Sequence, residues 1–189
     1  MHRHLAISLA VALGVTAPVL SQDSGSKDKN LDVRSSVGDL HVGKDADAKK
    51  VGLPLYPGAR LKSNGEDEGQ ANLSIATESF GMKLVVANYV SDDAPGKVVD
   101  FYRDKLKKYG KVLECHSAKH NGDISAHDDD KDSSKGKELK CDENSGPVTE
   151  LKVGTEDNQH IVAVEPGEGN KGSKFALIFV HTRGQQGDI

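Results

Sequence analysis

Asp92-Asp93-Ala94-Pro95-Gly96-Lys97-Val98-Val99-Asp100-Phe101-Tyr102-Arg103-Asp104-Lys105-Leu106-Lys107-Lys108-Tyr109-Gly110 is the stretch on which the fold turns. Ser91, Asp92 and Asp93 offer helix-start chemistry, and Pro95 suits a first turn, where its missing N–H costs nothing. Val98, Phe101, Tyr102, Leu106 and Tyr109 then recur at helical spacing and form one apolar stripe. Lys105, Lys107 and Lys108 crowd the last turn, where cations suit the negative end of the helix dipole. Gly110 is the expected left-handed stop. The pattern predicts a helix over about 94–109 whose stripe must be covered by something apolar.

The flanking residues supply that cover as strands. Leu73, Ile75 and Thr77 alternate with polar or small residues, so 71–78 reads as a strand. Ser79-Phe80-Gly81 turns the chain. Apolar residues of both parities over 82–90 predict a well-buried neighbour. After the helix, strands are expected at 111–115, at Val148–Val153 and at Ile161–Val164. Phe175–Val180 is apolar on both faces and should be central. Leu31 and Val33, then Leu40 and Val42, alternate about Val37-Gly38-Asp39 and predict an N-terminal β-hairpin. Lys44–Lys50 reads as a charged connector. Pro54 and Pro57 force extended backbone on Leu53 and Tyr56, and Pro57-Gly58 fits the centre of a type II turn. The order hairpin, β, β, α, β, β, β, β with short turns predicts a mostly antiparallel sheet. With one helix on one face, the fold class is two-layer α+β.

The chain starts with basic Met1-His2-Arg3-His4, followed by an apolar or small run from Leu5 to Val15. Pro18 breaks it, and Val19-Leu20-Ser21 offers a cleavage site before Gln22. That is the layout of a secretory signal peptide, and the run is too short for a permanent span. The expected organisation is a signal peptide at 1–21, a flexible leader at 22–30, and hairpin plus connector at 31–50. An α+β domain then occupies 51–184, with a mobile acidic loop at 117–146, and a disordered tail follows at 185–189. A periplasmic or secreted location follows, with no stable membrane insertion. The formal net charge is −4, from 25 basic and 29 acidic side chains. That argues against nucleic acid, which needs a basic face. With 4% aromatics and no Trp, stacking platforms are scarce.

Cys115 and Cys141 are the two cysteines. In an exported chain an even count predicts a disulfide; Cys-x-x-Cys redox spacing is absent. The same neighbourhood admits a metal reading through His116, His120, His127, Asp128 and Asp130. Imidazole and carboxylate are ligands for divalent ions, yet the spacing matches neither a zinc signature nor a calcium loop. Gly167-Glu168-Gly169-Asn170-Lys171-Gly172 spells G-x-G-x-x-G but separates two β-rich segments. A phosphate loop opens a helix, so this reads as a hairpin connection. His160 and His181 lack a recognisable nucleophile motif and read as edge or surface residues. Asn72-Leu73-Ser74 is a formal glycosylation sequon. A ligand cleft is expected between the helix end and the Tyr56 segment, bordered by Tyr56, Tyr102 and Tyr109.

Leu53-Pro54-Leu55-Tyr56-Pro57-Gly58-Ala59, and Asp92–Pro95 leading into Val98–Leu106, carry a resemblance. Over about residues 50–116 the chain resembles a group of small exported bacterial proteins of no assigned function. They share a Tyr-Pro-Gly-Ala segment, a two-strand unit and an Asp-Phe-Tyr helix. The resemblance implies export and a compact α+β domain. It implies no substrate, cofactor or catalytic residue. The functional expectation is an exported, non-enzymatic module that binds an envelope or extracellular partner or a small ligand, without a cofactor. Alternatives are a divalent-metal buffer built on the His/Asp-rich loop, and a hydrolase using His160 or His181 with a carboxylate.

Overall fold

The structure is a computed structural model that describes residues 30–62, 70–118, 138–141 and 143–184. The expected signal peptide, residues 22–29 of the leader, most of the 117–146 loop and the tail at 185–189 lie outside the described residues.

The described chain is α+β, with nine strands in one antiparallel sheet. The strands are β1 (Leu31–Ser35), β2 (Gly38–Gly43), β3 (Arg60–Leu61), β4 (Gln70–Ala76), β5 (Gly81–Ser91), β6 (Leu113–Ser117), β7 (Val148–Thr155), β8 (Asn158–Pro166) and β9 (Ser173–Arg183). The helices are α1 (Ala48–Val51) and α2 (Pro95–Leu106), the latter continuing into a 3₁₀ turn at Lys107–Tyr109. The sheet order is β1-β2-β4-β5-β9-β8-β7-β6, and β3 extends the β4 edge of β5 through Leu61 opposite Tyr89. The order explains the path of the chain. After β5, α2 crosses the sheet to the far edge at β6, and β6-β7-β8-β9 meander back until β9 closes on β5. The expected hairpin is β1-β2, in register Val33 opposite Leu40. The expected central strand is β9, paired with β5 and β8 along its length.

Strand alternation sends two sets of side chains to opposite faces. Under α2, Leu151 and Val153 of β7, Val162 and Val164 of β8, and Phe175 and Leu177 of β9 are buried. They meet Val98, Tyr102 and Leu106 of α2, all fully buried. The helix stripe and the sheet face are thus two halves of one core. Each such side chain contributes about 1.5–3 kcal/mol on leaving water. On the other face, Ala176, Ile178 and Val180 form a smaller cluster with Leu84, Val86 and Ile161. β5 is therefore buried on the helix side at Val85, Ala87 and Tyr89 but only half-buried on the other, less enclosed than its composition predicts.

Three local expectations change. The connector at 44–50 runs into a helical turn, because Asp47 caps α1 by accepting the Lys50 N–H at 2.7 Å and Gly52 closes it at φ 83°. The start of α2 has no side-chain cap: Ala94 holds the capping position, and the Ser91 hydroxyl instead accepts the Asp93 N–H at 3.1 Å. Gly110 ends the helical run with φ 141° and ψ −160°, outside the left-handed helical region but in backbone space that suits glycine. The Pro57-Gly58 turn forms as expected, with Gly58 at φ 75° and the Ala59 N–H donating to the Tyr56 carbonyl at 3.0 Å.

Candidate functional site

α1 has four residues, too few to persist alone. It is fixed from outside. The Ala48 N–H donates to the Tyr89 hydroxyl at 2.9 Å, tying the helix start to β5. At its other end the Gly52 carbonyl accepts from the Tyr109 hydroxyl at 2.6 Å, and the Lys108 ammonium lies 3.4 Å away. The chain then runs through Leu53, Pro54 and Leu55 to the paired prolines. There the buried Tyr102 hydroxyl donates to the Pro54 carbonyl and accepts the Tyr56 N–H, both at 3.1 Å. Side chains of β5, α2 and the 3₁₀ turn thus hold this entry segment.

Between α1, the 52–55 segment and the end of α2 lies a broad, open cavity of about 770 Å³. Ala48, Leu53, Pro54 and Leu55 give it apolar walls, and Tyr89 contributes to its lining. Lys49, Lys105 and Lys108 border it, against one carboxylate, Asp47, whose oxygen is already engaged as the α1 cap. The Tyr89 hydroxyl is almost enclosed, with its residue 3% exposed. It accepts from Ala48, and its own proton meets no acceptor among the described residues. Burial raises the Tyr89 pKa, and the nearby Asp47 charge adds to this against the Ala48 hydrogen bond. The side chain therefore stays a neutral donor.

The expected cleft residues fall in different places. Tyr56 and Tyr102 are buried at 7% and 0% exposure and pack with Phe101 and Phe175 in the core. They support the cavity from behind and do not line it. Burial raises both phenol pKa values, with the Asp93 carboxylate adding to the effect on Tyr56. Tyr109 is partly exposed and stacks on His160 with ring centroids 4.0 Å apart. The sequence reading missed Lys49, Tyr89 and the lysine grouping. One signal was present: Asp47 is a helix-capping residue type and Gly52 a stop, bracketing a single helical turn.

Cys115 and Cys141 form the expected disulfide, with Cα atoms 5.5 Å apart, which withdraws both thiols from metal binding. His116 lies on β6 with its Nε2 3.9 Å from Glu114. His120, His127, Asp128 and Asp130 lie outside the described residues. Among the described residues, no three His, Cys, Asp or Glu side chains converge on a point that could hold a metal. Near the loop ends, Asn144 bridges to His116 and Glu138 to Thr155, so those ends are pinned to β6 and β7. His160 packs against Tyr109 and Phe179, while His181 stacks on Phe179. Among the described residues no carboxylate hydrogen-bonds either ring. Gly167–Gly172 connects β8 to β9 through a 3₁₀ turn at Glu168–Asn170 and opens no helix. The amide of Asn72, in the sequon, lies on β4 and donates to Asp45 at 3.0 Å. No described helix is long and apolar enough to cross a membrane. Compared with family models, with curated proteins and with solved structures, the chain matches none.

Proposed function

We propose that the protein is an exported, non-enzymatic binding module whose small-molecule site is the cavity between α1, Leu53–Leu55 and the end of α2. The observation that carries this reading is the anchoring of that entry segment. Tyr89, Tyr102 and Tyr109 spend hydroxyl groups on fixing the backbone at Ala48, Gly52, Pro54 and Tyr56. A cavity with a preset wall binds without the cost of ordering a loop. Its lining supplies attraction and shape: apolar surface, three lysines and one engaged carboxylate. A nucleophile held by a base, as catalysis through a covalent step needs, is not part of that lining.

Export is supported by the apolar leader at 5–15 and by the disulfide, which an oxidising compartment maintains. The test is a ligand-observed NMR screen of a chemically diverse small-molecule panel on the native protein. Binding should appear and should be abolished by Leu55→Trp, which fills the mouth from an exposed position. A panel without binders, or binding indifferent to Leu55→Trp, overturns the site. Substrate turnover removed by a point mutation overturns the non-enzymatic reading.

A further inference from the structure

We infer that the cavity takes an organic anion: an apolar body resting on Leu53, Pro54 and Leu55, its charge met by Lys49, Lys105 and Lys108, and one oxygen taking the Tyr89 proton. The inference rests on the site proposed above and adds the chemical class of its ligand.

Two independent observations meet here. The first is charge. Three lysines line a mostly apolar cavity against one acidic residue, although the chain as a whole is acidic. A local excess of positive charge on a negative protein is a field that selects anions. The partners these lysines already have leave most of their capacity. Lys105 lies over the Phe101 ring at 5.4 Å and 3.9 Å from Asp104. Lys108 lies over the Tyr109 ring at 4.6 Å and near the Gly52 carbonyl. An ammonium has three donors, so each can still reach a ligand oxygen. These ring and carbonyl contacts also restrain two flexible side chains beside the cavity.

The second is the buried hydroxyl of Tyr89. Its lone pair is used by the Ala48 N–H, and its proton has no described acceptor. A buried donor without a partner costs free energy, and a carboxylate oxygen would relieve that cost. A cationic ligand would meet the repulsion of three lysines. A neutral one would leave the field unused.

The experiment compares three ten-carbon probes below their micelle-forming concentrations: decanoate, 1-decanol and decyltrimethylammonium, measured by calorimetry on the native protein. Decanoate should bind at least about tenfold tighter than decanol at low ionic strength, and the ammonium probe most weakly. High salt should shrink the preference, because exposed lysines are screened. In a Lys49→Gln/Lys105→Gln/Lys108→Gln variant the decanoate-to-decanol ratio should fall toward one. Tyr89→Phe should weaken decanoate by about three- to tenfold. The surface lysine variant carries the test even if Tyr89→Phe unfolds. Decanol binding as well as decanoate, with both lost in Leu55→Trp, overturns the anion class and leaves the site standing. Binding of decanoate that persists in Leu55→Trp, or no binding of any probe alongside an empty small-molecule screen, overturns both.

Discussion

The Tyr102 hydroxyl, on a side chain wholly removed from solvent, donates to the Pro54 carbonyl at 3.1 Å across 48 residues of sequence. The same oxygen accepts the Tyr56 N–H. One side chain of α2 therefore sets the backbone of the segment that walls the cavity. Tyr102→Phe keeps the ring packing and removes both bonds. The Tyr56 N–H is then buried without an acceptor, at a cost of about 1–3 kcal/mol. For a chain of this size each kcal/mol lowers Tm by about 2–4 °C. Calorimetric unfolding should show that loss, and probe binding at the cavity should weaken with it. An unchanged Tm would mean that the hydroxyl does not hold the segment.

The disulfide closes a loop of sequence separation 26 onto β6. In the chain-entropy view such a bridge contributes about 3.5 kcal/mol by restricting the unfolded chain. Fresh protein should show no free thiol. Cys115→Ser/Cys141→Ser should lower the denaturant midpoint by an amount of that order, leaving the α2 core in place. Two reactive thiols in native material would overturn the assignment.

The strand and helix pattern was legible because it depends on local periodicity. Val98, Phe101, Tyr102 and Leu106 announce α2 at a spacing of three and four, and Phe175–Val180 announces a strand buried on both faces. α1 was hidden because four residues carry no periodicity; its evidence is a cap at Asp47 and a stop at Gly52. The cavity was only half legible. Its location between the helix end and the turn prolines follows from the chain path. Its lining does not, because Lys49 of α1, Tyr89 of β5 and Lys108 of the 3₁₀ turn come together from distant sequence. Tyrosines expected at a cleft were instead spent on backbone hydrogen bonds, since a buried phenol must find a partner.

Gly52 holds φ 83°, where an L side chain is strained. A Cβ there would also approach the Tyr109 hydroxyl at 3.1 Å and His160 Nε2 at 3.4 Å. Gly52→Ala should cost about 1–2 kcal/mol from the backbone alone. It should also displace the Tyr109 hydroxyl from the Gly52 carbonyl. The readouts are a lower denaturant midpoint and faster amide exchange over residues 48–53. Alanine tolerated without loss would contradict the observed closure of α1.

His160 makes the stability of this corner pH-dependent. Burial lowers its pKa below the ordinary histidine value, and the Lys108 charge adds to this against the hydrogen bond to the Val51 carbonyl. The groups facing it are Lys108 and Tyr109 of the 3₁₀ turn, the end of α1, and Phe179 of β9, with His181 and Lys83 beyond on that ring. A histidine whose folded pKa is depressed takes up its proton more readily in the unfolded chain. Its neutral form therefore supports the fold fully above about pH 6.5, and that support is lost as pH falls from there toward the folded pKa. His160→Gln cannot titrate and keeps a polar side chain at the same place. The Tm of the native protein relative to that variant should fall between pH 7.5 and 5, with Lys108→Gln reducing the slope. A relative Tm that rises on acidification would show a protonated ring held favourably in the fold, the reverse of what its position between Tyr109, Phe179 and Lys108 requires.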